Sequence, residues 1–218
     1  MRQFETVSNR PVQMKMVMVL LALLGLGCGR PPEIHYYTIE FKQVDNSKDR
    51  GEAVLPYTIG VVKLDGGVLY TDDRIIYRET PFEVKFWNYR RWIAPPNILV
   101  TEALRQALKA EGLFQDVLSY PAAFSPRMIL TGKVTGFDEW DEPNQWYGKV
   151  SMHLTLTDLQ KKTVVWEGSF EAIEPAQQRT PIAVVKSINA ALNRCLEEAV
   201  QSLKASLLGD STHTQQNE

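Results

Sequence analysis

A strict alternation of apolar and polar positions runs through the second half of the chain. Met128, Leu130 and Val134 alternate with Thr131, Lys133 and Thr135. Val150, Met152, Leu154 and Leu156 alternate with Ser151, His153, Thr155 and Thr157, and Val164, Trp166 and Phe170 with Thr163, Glu167 and Ser169. Period two with one wetted face predicts three antiparallel strands. Tight connections at Asp141–Gln145, holding Pro143-Asn144, and at Asp158–Lys162 join them as a meander. Two other stretches change to spacings of three and four. Val100, Ala103, Leu104, Ala107 and Leu108 form one stripe of a helix from Ile98 to Glu111, with Asn97 as its cap after Pro95-Pro96 and Gly112 at C′. Thr180-Pro181 opens a longer helix whose stripe is Ile182, Val185, Ile188, Leu192, Leu196, Ala199, Leu203 and Leu207. Its roughly 26 residues make about 39 Å, enough to cross a sheet.

The first half is less regular. His35–Phe41 (HYYTIEF) is aromatic and β-branched and reads as a first strand; residues 42–56 are polar and read as a loop. Tyr57–Leu64 is apolar on both parities, as a central strand covered on both faces would be. After the turn Asp65-Gly66-Gly67, the segments Arg74–Arg78 and Phe82–Trp87 flank Glu79-Thr80-Pro81 as a hairpin. The expected fold class is α+β, a largely antiparallel sheet with two helices packed on one face. One domain over 35–208 and a polar, disordered tail over 209–218 complete the expectation, and there is no internal repeat or low-complexity tract.

Before all this lies an apolar run of twelve residues, Met16–Gly27, preceded by Arg2, Arg10 and Lys15 and followed by Cys28. A basic n-region and a short apolar stretch are the pattern of a bacterial secretion signal. Twelve helical residues reach about 18 Å against ~30 Å of hydrocarbon, which makes a poor membrane span. The end of the run, Gly25-Leu26-Gly27-Cys28, resembles the bacterial lipobox, with Leu at 24 and 26 where that motif places it at 25. The resemblance implies cleavage after residue 27, lipidation of Cys28 and a short tether over 28–34 holding Arg30-Pro31-Pro32-Glu33. A plain cleaved signal or an uncleaved anchor, with Cys28 incidental, stays open beside it.

The whole chain has 218 residues, 24 basic and 26 acidic; without residues 1–27, which hold three basic and one acidic side chain, 191 remain at a net charge of −4. That length suits one domain. Mild acidity argues against a nucleic-acid binder and against a polybasic grip on anionic lipid. Only Cys28 and Cys195 are present, so with Cys28 acylated no intrachain disulfide is available.

The search for chemistry finds little. His35, His153 and His213 have no second His or Cys at metal-ligand spacing, so no metal or cofactor is expected. There is no G-x-S-x-G elbow and no phosphate-binding glycine pattern. Asp138, Glu139, Asp141 and Glu142 gather at a hairpin end; a solvated turn is favoured there over a calcium site or an acid pair. Cys195 reads as a small buried hydrophobe. An enzyme is not expected. One segment, Phe86-Trp87-Asn88-Tyr89-Arg90-Arg91-Trp92, packs four aromatics and two arginines into seven residues. These residue types mark interaction surfaces, but rings that plug the core with arginines stacked on the others give the same composition.

Several motifs, in order, resemble the ABC-type transport auxiliary lipoproteins, a family that includes the paraquat-inducible C lipoprotein. They are Tyr36-Tyr37-Thr38-Ile39, Ile59-Gly60-Val61, Asp73-Arg74, Tyr77-Arg78, then Tyr89, Arg91-Trp92 and Pro95 ahead of the helix. The resemblance implies a non-enzymatic accessory subunit of an ABC-type lipid transport system. Its partners would be a periplasmic mammalian-cell-entry protein and the ABC permease/ATPase complex, with the membrane reached through the lipid anchor. Cys28 would carry that anchor, and Trp87, Tyr89, Arg91 and Trp92 would form the docking or self-association surface. Gly29, rather than Asp, follows the cysteine, which fits outer-membrane sorting. Two rivals remain: a lipoprotein that binds a lipid or small ligand, and an activator or assembly lipoprotein of another envelope machine.

Overall fold

The computed structural model describes residues 32–40 and 55–214. The expected signal segment 1–27, Cys28 and residues 29–31 of the tether, most of the 42–56 loop and the last four residues lie outside the described residues. In chain order the elements are β1 (His35–Tyr37), β2 (Leu55–Val62), β3 (Arg74–Arg78), β4 (Lys85–Trp92), α1 (Pro96–Glu111), β5 (Phe114–Tyr120), β6 (Met128–Asp141), β7 (Trp146–Asp158), β8 (Thr163–Pro175) and α2 (Pro181–Thr214).

The meander is present as the alternation predicts. β6 pairs antiparallel with β7 over its whole length, and β7 with β8. Its apolar parity is buried: Leu130, Val134, Val150, Met152, Leu154 and Leu156 are all within 1% of full burial. Val164 breaks the pattern and is 56% exposed, because the register slips between Leu156 and Thr157 and turns that end of β8 over. Along α2, Val185, Ile188, Leu192, Leu196, Ala199 and Leu203 are buried as expected, joined by Val184, Ala191, Cys195 and Val200. Ile182, in the first turn, is exposed, and the helix continues past Gly209 to Thr214. A Cβ on Gly148 would come within 2.1 Å of the Ile188 nitrogen, so α2 lies directly on β7 at this point and only glycine fits.

The sheet is mixed rather than largely antiparallel. β1 runs parallel to β4, β2 to both β5 and β6, and β3 to β6; β3–β4, β6–β7 and β7–β8 are antiparallel. Short turns force antiparallel neighbours, whereas the long connections elsewhere leave strand direction free. β6 is the spine, and along one edge it takes β2 at Met128–Leu130 and β3 at Asp138–Trp140. The sheet therefore forks into a β2–β5 arm and a β3–β4–β1 wing. β5 was not expected from the sequence: its buried Phe114 and Val117 are three apart, which breaks a period of two.

Both helices pack on β6 and on each other. α1 begins two residues earlier than expected, at Pro96, and Asn97 is not its cap. Asn97 is buried within the first turn, where its backbone N–H donates to Tyr70 O (3.1 Å) and its Nδ2 donates to Leu64 O (3.0 Å). The residue thus ties the β2–β3 loop to the helix. Gly112 closes α1 as expected, with φ 69° in the left-handed region.

Candidate functional site

The aromatic and arginine-rich segment is strand β4 itself, and alternation distributes its rings between two roles. Trp92 is 0% exposed and packs edge-on to Phe137 at 5.1 Å. It is a core residue, so the expected docking set loses one member: a ring with no accessible surface cannot meet a partner. Tyr89 is half exposed. Trp87 and Arg91 line a groove of about 530 Å³ together with Arg74, Tyr77, Val84, Lys85, Phe86 and Asn88. The segment therefore divides between a core ring, Trp92, and side chains that remain accessible in the groove.

Guanidinium groups stack on the groove's aromatics. Arg74 lies 3.9 Å from the centre of Phe86 and Arg90 lies 4.3 Å from that of Trp87, while Tyr77 and Trp87 are ring neighbours at 5.3 Å. Such contacts hold flat side chains in one orientation and contribute ~0.5–1 kcal/mol each at exposed sites. The cations are also paired: Arg74 Nε with Asp72 (3.1 Å), Arg91 Nη1 with Asp73 (2.8 Å), and Lys85 Nζ with Glu79 (3.0 Å) and Glu83 (3.4 Å). The rim is thus charge-balanced, and the aromatics supply the contact area.

Two carboxyls on β6 support the wing, and the sequence reading placed both in a solvated turn. Asp138 and Glu139 are strand residues, 4% and 1% exposed, on opposite faces of β6. Trp87 Nε1 donates to Glu139 Oε2 at 2.6 Å. Burial pushes the Glu139 carboxyl up to about 7, and the charge of Asp141 adds to the effect. On the other face Asp138 Oδ2 accepts from Arg78 Nε (2.8 Å) and from the Tyr70 hydroxyl (3.2 Å). Burial raises the Asp138 carboxyl against the pull of Arg78, and burial beside Asp138 pushes Tyr70 up to about 12. One strand thus fixes the wing from both sides. Among the described residues no group of three or more His, Cys, Asp and Glu could hold a metal ion. The Trp87–Glu139 bond was missed in the sequence, although strand parity gave a signal: Tyr77, Lys85 and Trp87 share a face with Glu139 through the Tyr77–Lys85 and Tyr77–Glu139 pairings.

The remaining candidates have structural partners. His153 contacts Ser169 Oγ through Nδ1 (2.9 Å) and Glu167 through Nε2 (3.3 Å) on the wetted face of the meander. Cys195 is fully buried; its thiol donates to Val150 O at 3.4 Å, and burial pushes it up to about 12. Cys28 lies outside the described residues.

The model of one protein family, the ABC-type transport auxiliary lipoprotein component, matches residues 51–200. No curated protein matches the chain. Among solved structures, a protein from Xanthomonas campestris is similar at 17% identity with a TM-score of 0.70, over 81% of this chain and 99% of that one. A second, of an uncharacterized protein, is similar at 14% identity with a TM-score of 0.64, over 79% of this chain and 99% of that one. These two share the fold. The family match covers most of the chain, which belongs to the ABC-type transport auxiliary lipoprotein family.

Proposed function

We propose that this auxiliary lipoprotein is a non-enzymatic docking subunit, held to the periplasmic face of an envelope membrane through Cys28, the outer membrane in preference to the inner. Its partners are the periplasmic mammalian-cell-entry protein and the permease/ATPase complex of a lipid transport system. The family match over residues 51–200 carries the reading. The groove supports it: Trp87, Arg91 and the exposed Tyr89 are residue types that bury large area at little entropic cost, on strands locked from behind by buried carboxylates. A lipid-holding role is less favoured, because Arg74, Lys85, Asn88 and Arg91 all stand in the groove wall.

Cross-linking from a photoreactive residue at position 89, followed by mass spectrometry, tests the reading. The expected product joins this chain to a transporter component. Recovery of adducts only with unrelated envelope proteins would refute the partner, and a Cys28→Ala chain that stays membrane-bound with transport intact would refute the anchor.

A further inference from the structure

We propose that the β3–β4 and β6–β7 turns form a membrane-facing end, with the Phe82 ring entering the headgroup layer of a phospholipid bilayer. The inference rests on the reading that the N-terminal segment holds the chain to a membrane. Strand register supplies the orientation. His35 stands opposite Arg90 and Tyr37 opposite Trp92 in a parallel pair, so the chain entering β1 comes from the side where β4 begins, at Lys85. β3 ends at that same side, since Tyr77 pairs with Lys85, and so does β6, since Arg78 pairs with Trp140. The turns at 79–84 and 142–145 therefore leave the sheet together, at the end from which the chain enters β1.

That end carries an unusual side chain. Phe82 is 95% exposed in the first turn, and Tyr89, on the way to it, is 50% exposed. Val68 is similarly bare at 93%, but it lies at the opposite end, where Asp73 O accepts from Trp92 N (2.7 Å) and Tyr70 O from Asn97 N (3.1 Å). Length allows the contact. Seven residues from Cys28 to His35 extend at most ~25 Å, and five from Lys85 to Arg90 rise ~17 Å, so a bilayer at the anchor comes within reach of the tip. Lys85 pairs with both Glu79 and Glu83, which reduces their repulsion from anionic lipid. Aromatic rings favour the bilayer interface, and a single acyl anchor gains hold from a second weak contact.

The test uses the full chain in vesicles of phosphatidylethanolamine and phosphatidylglycerol carrying a nitroxide-labelled phospholipid. An environment-sensitive dye is placed at Phe82→Cys in one sample and Val68→Cys in another; Cys195 is buried and stays unlabelled. The expected result is that the dye at 82 shifts to the blue and loses most of its emission, while the dye at 68 keeps its aqueous spectrum. A dye at 82 that remains in water, or equal quenching at both sites, overturns the proposal. The unsubstituted chain, labelled in parallel, reports on Cys28: dye uptake there refutes lipidation, while the contrast between 82 and 68 still decides the tip.

Discussion

The meander with α2 and the β3–β4–β1 wing share one sheet, yet different forces hold them. Between β6, β7 and α2 the contacts are aliphatic: Leu130, Leu154, Leu156, Ile188 and Leu192 are all within 1% of full burial. The wing is held by directional contacts, with Trp87 bonded to Glu139, Arg78 to Asp138, and guanidiniums lying on Phe86 and Trp87. Apolar burial is non-directional and supplies stability by area. Individual hydrogen bonds contribute less net stability but are directional and fix orientation. The meander is therefore held by buried area, and the wing by contacts that set the orientation of its side chains.

The largest expected effect lies in the meander. Leu154→Ala should cost about 3 kcal/mol and lower the melting temperature by roughly 10 °C, read by calorimetry. A loss no larger than that of a surface substitution would erase the contrast. In the wing, Trp87→Phe keeps a ring for Arg90 to cover but removes the N–H from Glu139. The expected cost is about 2 kcal/mol in urea unfolding, because a buried acceptor loses its partner. A cost near zero would mean that packing, not bonding, holds the wing too.

Next comes pH. The folded-state Glu139 carboxyl is pushed up to about 7, above its ordinary value, so the folded chain favours the neutral form. Its contribution is full below the ordinary carboxyl range and fades as pH rises from there through about 7. Glu139→Gln should flatten the fall in stability between these limits, followed by urea titration at several pH values. An unchanged slope would assign the pH dependence to other groups. The smallest stability effect belongs to Tyr89→Ala, within about 0.5 kcal/mol, but it should weaken recovery of the transporter partner. If both readouts stay at wild-type level, the exposed part of the wing is not the docking surface.

The same contrast explains what was legible in the sequence. Period two, tight turns and three-four spacing made the meander and both helices legible, though not their ends, because a single buried face imposes a simple rule. Strand direction elsewhere was not legible, since the chains joining β2, β3, β5 and β6 are long enough for either sense. β5 escaped because its buried Phe114 and Val117 are three apart and show no period of two. The composition of Phe86–Trp92 singled out β4, but only the fold separates buried Trp92 from groove-lining Trp87. Asp138 and Glu139 looked like a solvated turn because their burial depends on Tyr70, Arg78 and Trp87, which come from distant segments.

β1 has a mechanical consequence. It is three residues long, lies at the sheet's edge, and runs parallel to β4. A pull on its N-terminal side acts along the strand and loads its few hydrogen bonds together, in shear, rather than opening them one at a time. The load then passes into β4, the strand that lines the groove. If the proposed anchor holds and the groove takes a partner, tension from the one and contact with the other would bear on the same strand.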